Sequence, residues 1–241
     1  MGVRDTPSAV AEAMAVASTW PDETKEQTHT GEWHFIDLAL QDTRKDIPKR
    51  CPDGNCVTAR IDIFSRQLAK RAPSAVSDRD ALRYLIHFIG DAHQPLHTTS
   101  DADLGGNCEQ IRPFERTRNL HAFWDGGIIA SMGKSDRRLA DNLEGYIGRM
   151  DSGKVKRWSK GDAEKWTWES HELARQDIYG RLHIPVQPVV FPKNCRTAPG
   201  EIANFRPYID SLYVSDMKPV VRDQLVKAGL RLARVLNQSL Q

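Results

Sequence analysis

Residues 87–97 read His-Phe-Ile-Gly-Asp-Ala-His-Gln-Pro-Leu-His, and no other stretch limits the fold of this chain as tightly. It closes a helical pattern. Leu82, Leu85, Ile86 and Ile89 recur at helical spacing behind Asp78 or Ser77 as the N-cap, and Pro95 ends the run. On a helix over 78–91, His87 and Asp91 are four residues apart and share a face. Asn119-Leu-His121-Ala-Phe-Trp-Asp125 repeats the arrangement on a second expected helix, 119–132. Each pair offers an imidazole nitrogen and a carboxylate oxygen to a common point, and His97 falls between the pairs. Zinc takes these donors, so the pattern points to a multinuclear zinc site and a metal-dependent hydrolase.

The candidate ligands are Asp22, His34, His87, Asp91, His97, His121 and Asp125, enough for two or three metals. A histidine taken singly is more often a surface or core residue with a satisfied hydrogen bond, and the clustering is what argues otherwise. His29, His93, His171 and His183 have no partner at ligand spacing and are read as structural. His93 and His97 are four apart, but Pro95 between them works against a shared helical face.

The chain has 241 residues, room for one substantial core. With 34 basic against 32 acidic residues, the net charge of +2 is too small to imply a polyanion partner by itself. No apolar run is long enough to span a bilayer. The opening MGVRDTPSAVAEAMAVASTW has Glu12 within its apolar stretch and no basic region before it, so it does not read as a secretory signal. The chain has four cysteines. Cys51-Pro-Asp-Gly-Asn-Cys56 encloses an Asp-Gly turn, as a small disulfide would; the rival, a zinc half-site, needs two more ligands nearby. Cys108 and Cys195 pair only if the fold brings them together. Disulfides belong to extracytoplasmic proteins, in tension with the missing signal.

Further helices are expected over 7–18, 56–71, 164–179 and 219–236, with Trp20-Pro21-Asp22 breaking the first. Residues 31–36 read as extended or loop, 101–106 as a flexible loop and 180–212 as a long irregular connection. Val189-Val-Phe191 is the one short strand candidate. No repeat or linker appears, so the expectation is one mainly α domain over 1–241.

Several segments carry a resemblance beyond the ligand pattern: Ser18-Thr-Trp-Pro-Asp22, Trp33-His34-Phe-Ile-Asp37, residues 87–97, Leu104-Gly-Gly-Asn107 and Asn119–Asp125, with weaker echoes at 168–174 and 228–237. In this order they resemble the S1/P1 nuclease family, zinc-dependent single-strand-specific nucleases whose fold is shared with the bacterial zinc phospholipase C. The resemblance implies a single-domain α-helical phospholipase C/nuclease-type fold and three zinc ions. Asp22, His34 and His87 would hold one; His97, His121 and Asp125 a second; Asp91 would join the first to a third. In the family that third ion is held by an N-terminal Trp and a nearby His. No Trp or His precedes Trp20 here, so the first helix and its ligands are expected to be missing and only two sites fully liganded. A truncated start and a true two-metal variant with impaired activity both account for this; truncation is favoured because it also explains the absent signal.

The resemblance further implies hydrolysis of phosphodiester bonds in single-stranded DNA and RNA to 5′-phosphate products, with 3′-nucleotidase activity on nucleotides. Asp91 would be the catalytic carboxylate, cradling the attacking hydroxide. Phe35 would stack a base and Asp37 would bind its edge; Asn107 could orient substrate beside Gly105-Gly106. Core packing competes for Phe35, and a simple loop turn for Asn107. A secreted or periplasmic monomer is expected. The alternatives are a phospholipase C-like phosphodiesterase on the same metals and an impaired zinc-binding remnant.

Overall fold

The computed structural model describes residues 7–70, 72, 76–112, 119–133 and 135–239. It is mainly α-helical, and among the described residues β structure amounts to two isolated bridges, Gln110 with Asn119 and Arg112 with Tyr208. The long helices are α1 (Pro7–Thr28), α2 (Val57–Leu68) and α3 (Asp78–Asp91). In α4, Leu120–Ala122 runs through a π-helical turn, Phe123–Gly127, into Ile128–Ala130. Next come α5 (Asp136–Gly148) and α6 (Ser152–Trp158). Ala163–Leu173 continues in π geometry through Ala174–Gly180 as α7, and α8 is Ser211–Ser239.

α3 forms where its pattern says it should. Ser77 caps it by accepting from the Asp80 amide, and Ala81, Tyr84, Leu85, Phe88 and Ile89 form its buried stripe. That stripe packs on α2, where Phe64 stacks on Tyr84 at 5.2 Å between centroids, and Tyr84 on Phe88 at 5.2 Å. Trp20 of α1 and Trp33 meet the edge of Tyr84 at 5.3 and 5.4 Å. A second core gathers Leu96, Leu120, Trp124, Ile128, Ile178, Tyr179, Met217 and Val221 around α4, α7 and α8. His87 and Asp91 sit beside the first core and His121 and Asp125 beside the second, so the joining of the two cores brings the pairs together.

Several expectations are corrected. α1 does not break at Trp20-Pro21-Asp22 but runs through to Thr28. Pro21 removes one rung, and its burial together with the Trp20 contact on α3 outweighs that loss. α8 likewise begins at Ser211 and carries Pro219 inside it. Val189–Phe191 is not a strand, and the chain there is irregular. Residues 31–36 open with a 3-10 turn, Gly31–His34, before the chain extends at Phe35. Residues 101–106 are not a flexible loop: Asp101 and Asp103 are buried, the Asp101 carboxylate accepting from the Gln187 amide and that of Asp103 from the Tyr179 hydroxyl. The helices α5 and α6 had no expectation attached to them. Both cysteine pairs are disulfides, Cys51–Cys56 and Cys108–Cys195. Among the described residues no helix is long and apolar enough to cross a membrane. Residues 1–6, which bear on the expected loss of N-terminal ligands, lie outside the described residues.

Candidate metal centre

Two groups of ligand-type side chains converge among the described residues: Asp22 with His34 and His87, and His97 with His121 and Asp125. Within each group the donor atoms lie within 4.8 Å of one another. α1 brings Asp22, the Gly31–His34 turn brings His34, α3 brings His87 and Asp91, the Pro95–His97 turn brings His97, and α4 brings His121 and Asp125. Asp91 stands between the groups. Its Oδ2 lies 3.1 Å from His34 Nδ1 and 3.2 Å from His87 Nε2, while Oδ1 lies 3.5 Å from His97 Nδ1. All seven candidate ligands therefore meet in one place.

The imidazoles are held so that lone pairs point inward. The Nδ1–H of His87 donates to the Ser18 carbonyl at 2.6 Å, that of His97 to the His34 carbonyl at 3.0 Å, and that of His121 to the Gly105 carbonyl at 2.7 Å. A backbone carbonyl on one ring nitrogen fixes the tautomer and turns the other nitrogen into a ligand. Gly105 has φ +61°, and a Cβ there would lie 2.4 Å from the Leu96 carbonyl. Only glycine brings its carbonyl to His121 without that clash.

The inward atoms lack proper partners without a cation. His34 Nδ1 faces His87 Nε2 at 3.0 Å, an approach of two nitrogens that needs a proton or a metal between them. His34 Nε2 and His97 Nε2 are buried with no hydrogen-bond partner, the latter 3.3 Å from Asp125 Oδ1. Neutral imidazoles and ionised carboxylates are zinc's donor set at about 2.0–2.2 Å, so the residues fit such an ion. The electrostatics agree. Burial works to raise the Asp91 carboxyl, but charge on His97 and hydrogen bonds from His34 and His87 hold it well below the usual range. Burial also opposes ionisation of Asp125, and His121 and His97 outweigh it. Burial opposes charge on His97, yet Asp91 and Asp125 push that imidazole up to about 9. Binding of a cation by such donors is coupled to the release of their protons.

The substrate-side candidates are placed as follows. Phe35, next to His34, is 38% exposed and so is not a core side chain. Asp37 is pushed up to about 6, first by burial and then by the Asp103 carboxylate, against the pull of Arg50. Asn107 is exposed, and its side-chain amide closes the turn onto the Leu104 carbonyl at 2.9 Å. Some contributors had no expectation attached. Gln94 donates to Asp125 Oδ1 at 2.6 Å, and its position inside residues 87–97 was the available signal. A cleft of about 330 Å³ opens beside Asp22, Asp91, His97 and Asp125, walled by Trp124, Val221 and Leu225. The carbonyls of Ser18 and Gly105 leave no mark in a pattern of side chains.

A mainly α fold that gathers His and Asp donors able to hold a cation has the make-up of a metal-centred hydrolase. Residues 4–241 match the S1/P1 nuclease family, and the chain belongs to it. It is thus a nuclease, an enzyme that hydrolyses phosphodiester bonds. The chain is 33% identical to nuclease S1 of Aspergillus oryzae over 245 residues, covering 93% of this chain and 78% of that one. It is 30% identical to endonuclease 3 of Arabidopsis thaliana over 240 residues (96% and 78%). Against nuclease P1 of Penicillium citrinum the figure is 27% over 256 residues (96% and 86%).

Proposed function

We propose that the chain is a zinc-dependent endonuclease of single-stranded DNA and RNA that leaves 5′-phosphate ends and also removes the phosphate of 3′-nucleotides. The observation that carries this reading is the position of Asp91, with one carboxylate oxygen toward each triad. Asp22, His34 and His87 would hold one zinc and His97, His121 and Asp125 another, with Asp91 between. The chemistry supplied by zinc held there is that of a Lewis acid: it makes water nucleophilic near neutral pH and neutralises phosphoryl charge.

The chain's own residues do the rest. Phe35 offers a face on which an unstacked base can lie, worth about 1–3 kcal/mol, which a paired base in a duplex cannot use. Asp37 accepts from the base edge once ionised, above about pH 6. Asn107 orients the substrate beside Gly105 and Gly106. The Ser18, His34 and Gly105 carbonyls keep three imidazoles from turning away. The two disulfides support a secreted or periplasmic location.

The test is zinc content and hydrolysis measured together. The purified chain should retain at least two zinc ions and cut single-stranded oligonucleotides in preference to duplex. Asp91→Asn should lose zinc from the cluster and lower the rate by about 10³-fold, several kcal/mol of charge stabilisation. Zinc retention without phosphodiesterase activity, or hydrolysis of phosphatidylcholine in place of nucleic acid, would refute the reading.

A further inference from the structure

Two stretches outside the metal cluster, 168–174 and 228–237, meet on the turn that joins two of the proposed ligands. That turn leaves α3 at Asp91 and ends at His97. Ser170 of α7 donates its hydroxyl to the Ala92 carbonyl at 2.6 Å. Gln224 of α8 donates from Nε2 to the His93 carbonyl at 3.0 Å and to Ser170 Oγ at 3.1 Å. The His93 Nδ1–H donates to the Ile89 carbonyl at 2.6 Å, so its Nε2 accepts, and Arg231 of α8 donates to that atom from Nη1 at 2.7 Å. Three side chains from two later helices therefore take hold of two consecutive residues, Ala92 and His93.

Arg231 is itself fixed. Its Nε donates to the Trp158 carbonyl at 3.0 Å and its Nη2 to the Glu169 carboxylate at 2.5 Å. Arg231 is 2% exposed, and His93, Gln224 and Ser170 are buried with it. A buried guanidinium carries a large desolvation penalty, and packed apolar residues often serve stability as well or better. What a paired polar network adds is one fixed arrangement. Here the fixed object is the turn between Asp91 and His97.

The turn matters to one triad more than to the other. Asp22, His34 and His87 lie on α1, the Gly31–His34 turn and α3, none of them within it. His97 stands at its far end, where Asp91 Oδ1 faces Nδ1 at 3.5 Å. Gln94, in its middle, donates to Asp125 at 2.6 Å. A metal site tolerates ligand displacements of only about 0.2 Å, so slack in the turn would disturb His97 and Asp125 together.

We propose that Arg231, Gln224 and Ser170 are positioning residues, a clamp on residues 92–93 that sets His97 against Asp91 so that both triads can be filled at once. This rests on the reading of the cluster as a zinc centre.

Zinc release, followed against a graded series of chelators, tests it. Arg231→Met keeps the bulk and removes the donors. It should weaken one of the two ions about tenfold, the effect of losing a partner behind a ligand, and leave the other within about twofold of the parent. Arg231→Lys, which retains a donor for His93 Nε2, should recover most of the loss. In a His97→Ala background, where the second site is already broken, Arg231→Met should change the remaining ion no further. Urea midpoints report folding, and Gln224→Met, which removes only neutral hydrogen bonds, gives the same reading if Arg231→Met does not fold. Equal weakening of both ions, no weakening of either, no recovery with Arg231→Lys, or a loss that persists beside His97→Ala would overturn the clamp. An unaltered chain that binds no zinc would instead sink the zinc reading.

Discussion

His87 donates its Nδ1–H to the carbonyl of Ser18 at 2.6 Å, and Ser18 stands three residues ahead of Pro21 in α1. A proline crowds the turn before it and withholds one N–H from that turn. The turn whose carbonyl orients His87 is thus the one that Pro21 loosens, and Asp22, another proposed ligand, follows directly.

Pro21→Ala should restore the rung from residue 21 to the Ala17 carbonyl and tighten the turn that carries Ser18, drawing its carbonyl away from His87. His87 would lose its orienting partner, and zinc affinity should fall about tenfold, as for other second partners of ligating histidines. Competition with a graded series of chelators measures this, and helix content by circular dichroism should hold or rise.

Phe35→Ala removes the exposed ring next to His34 while leaving every ligand in place. KM for single-stranded oligonucleotides should rise about tenfold, matching one lost base stack, with kcat changed far less. A fall in kcat alone, with KM constant, would mean that the ring supports His34 rather than substrate.

The two disulfides should differ in what they contribute. Cys108–Cys195 spans 87 residues and Cys51–Cys56 spans 5. By loop entropy, Cys108→Ser with Cys195→Ser should cost about 4–5 kcal/mol and Cys51→Ser with Cys56→Ser about 2. Urea midpoints of the two double variants give the comparison.

Glu109 supplies a pH signature of its own. Neither of its carboxylate oxygens has a hydrogen-bond partner among the described residues, and burial, followed by the Asp103 charge, pushes it up to about 8. Its folded pKa stands above its unfolded value of 4.5, so the folded state holds a proton that the unfolded state has released. Below the unfolded value the group contributes no penalty. Between there and about pH 8 stability falls as pH rises, by a few kcal/mol at most. Glu109→Gln should flatten this loss: denaturant midpoints of the two forms should agree near pH 4 and diverge toward pH 9, the variant being the more stable.

Helix α3 was legible because its evidence is local. Cap, apolar stripe and terminating proline all lie between Ser77 and Pro95, and the four-residue spacing of His87 and Asp91 follows from helix pitch. His121 and Asp125 were readable for the same reason, although a π-helical turn begins between them; their side chains still meet at 3.2 Å. Proline at 21 and 219 misled because propensity is weak against burial, and tertiary contacts carried both helices through. The 101–106 stretch misled because Asp, Gly and Ala look like a surface turn. The partners that bury it, Tyr179 and Gln187, lie far along the chain.

By itself the sequence determined which residues could ligate a metal and on which helices several of them would sit, because side-chain chemistry and backbone periodicity act over a few residues. Only the tertiary structure decided that Asp91 turns one oxygen to His34 and His87 and the other to His97. It also decided that the carbonyls of Ser18, His34 and Gly105 hold the rings. Those relations depend on how two separate cores join, and packing between distant segments leaves no periodic trace in the chain.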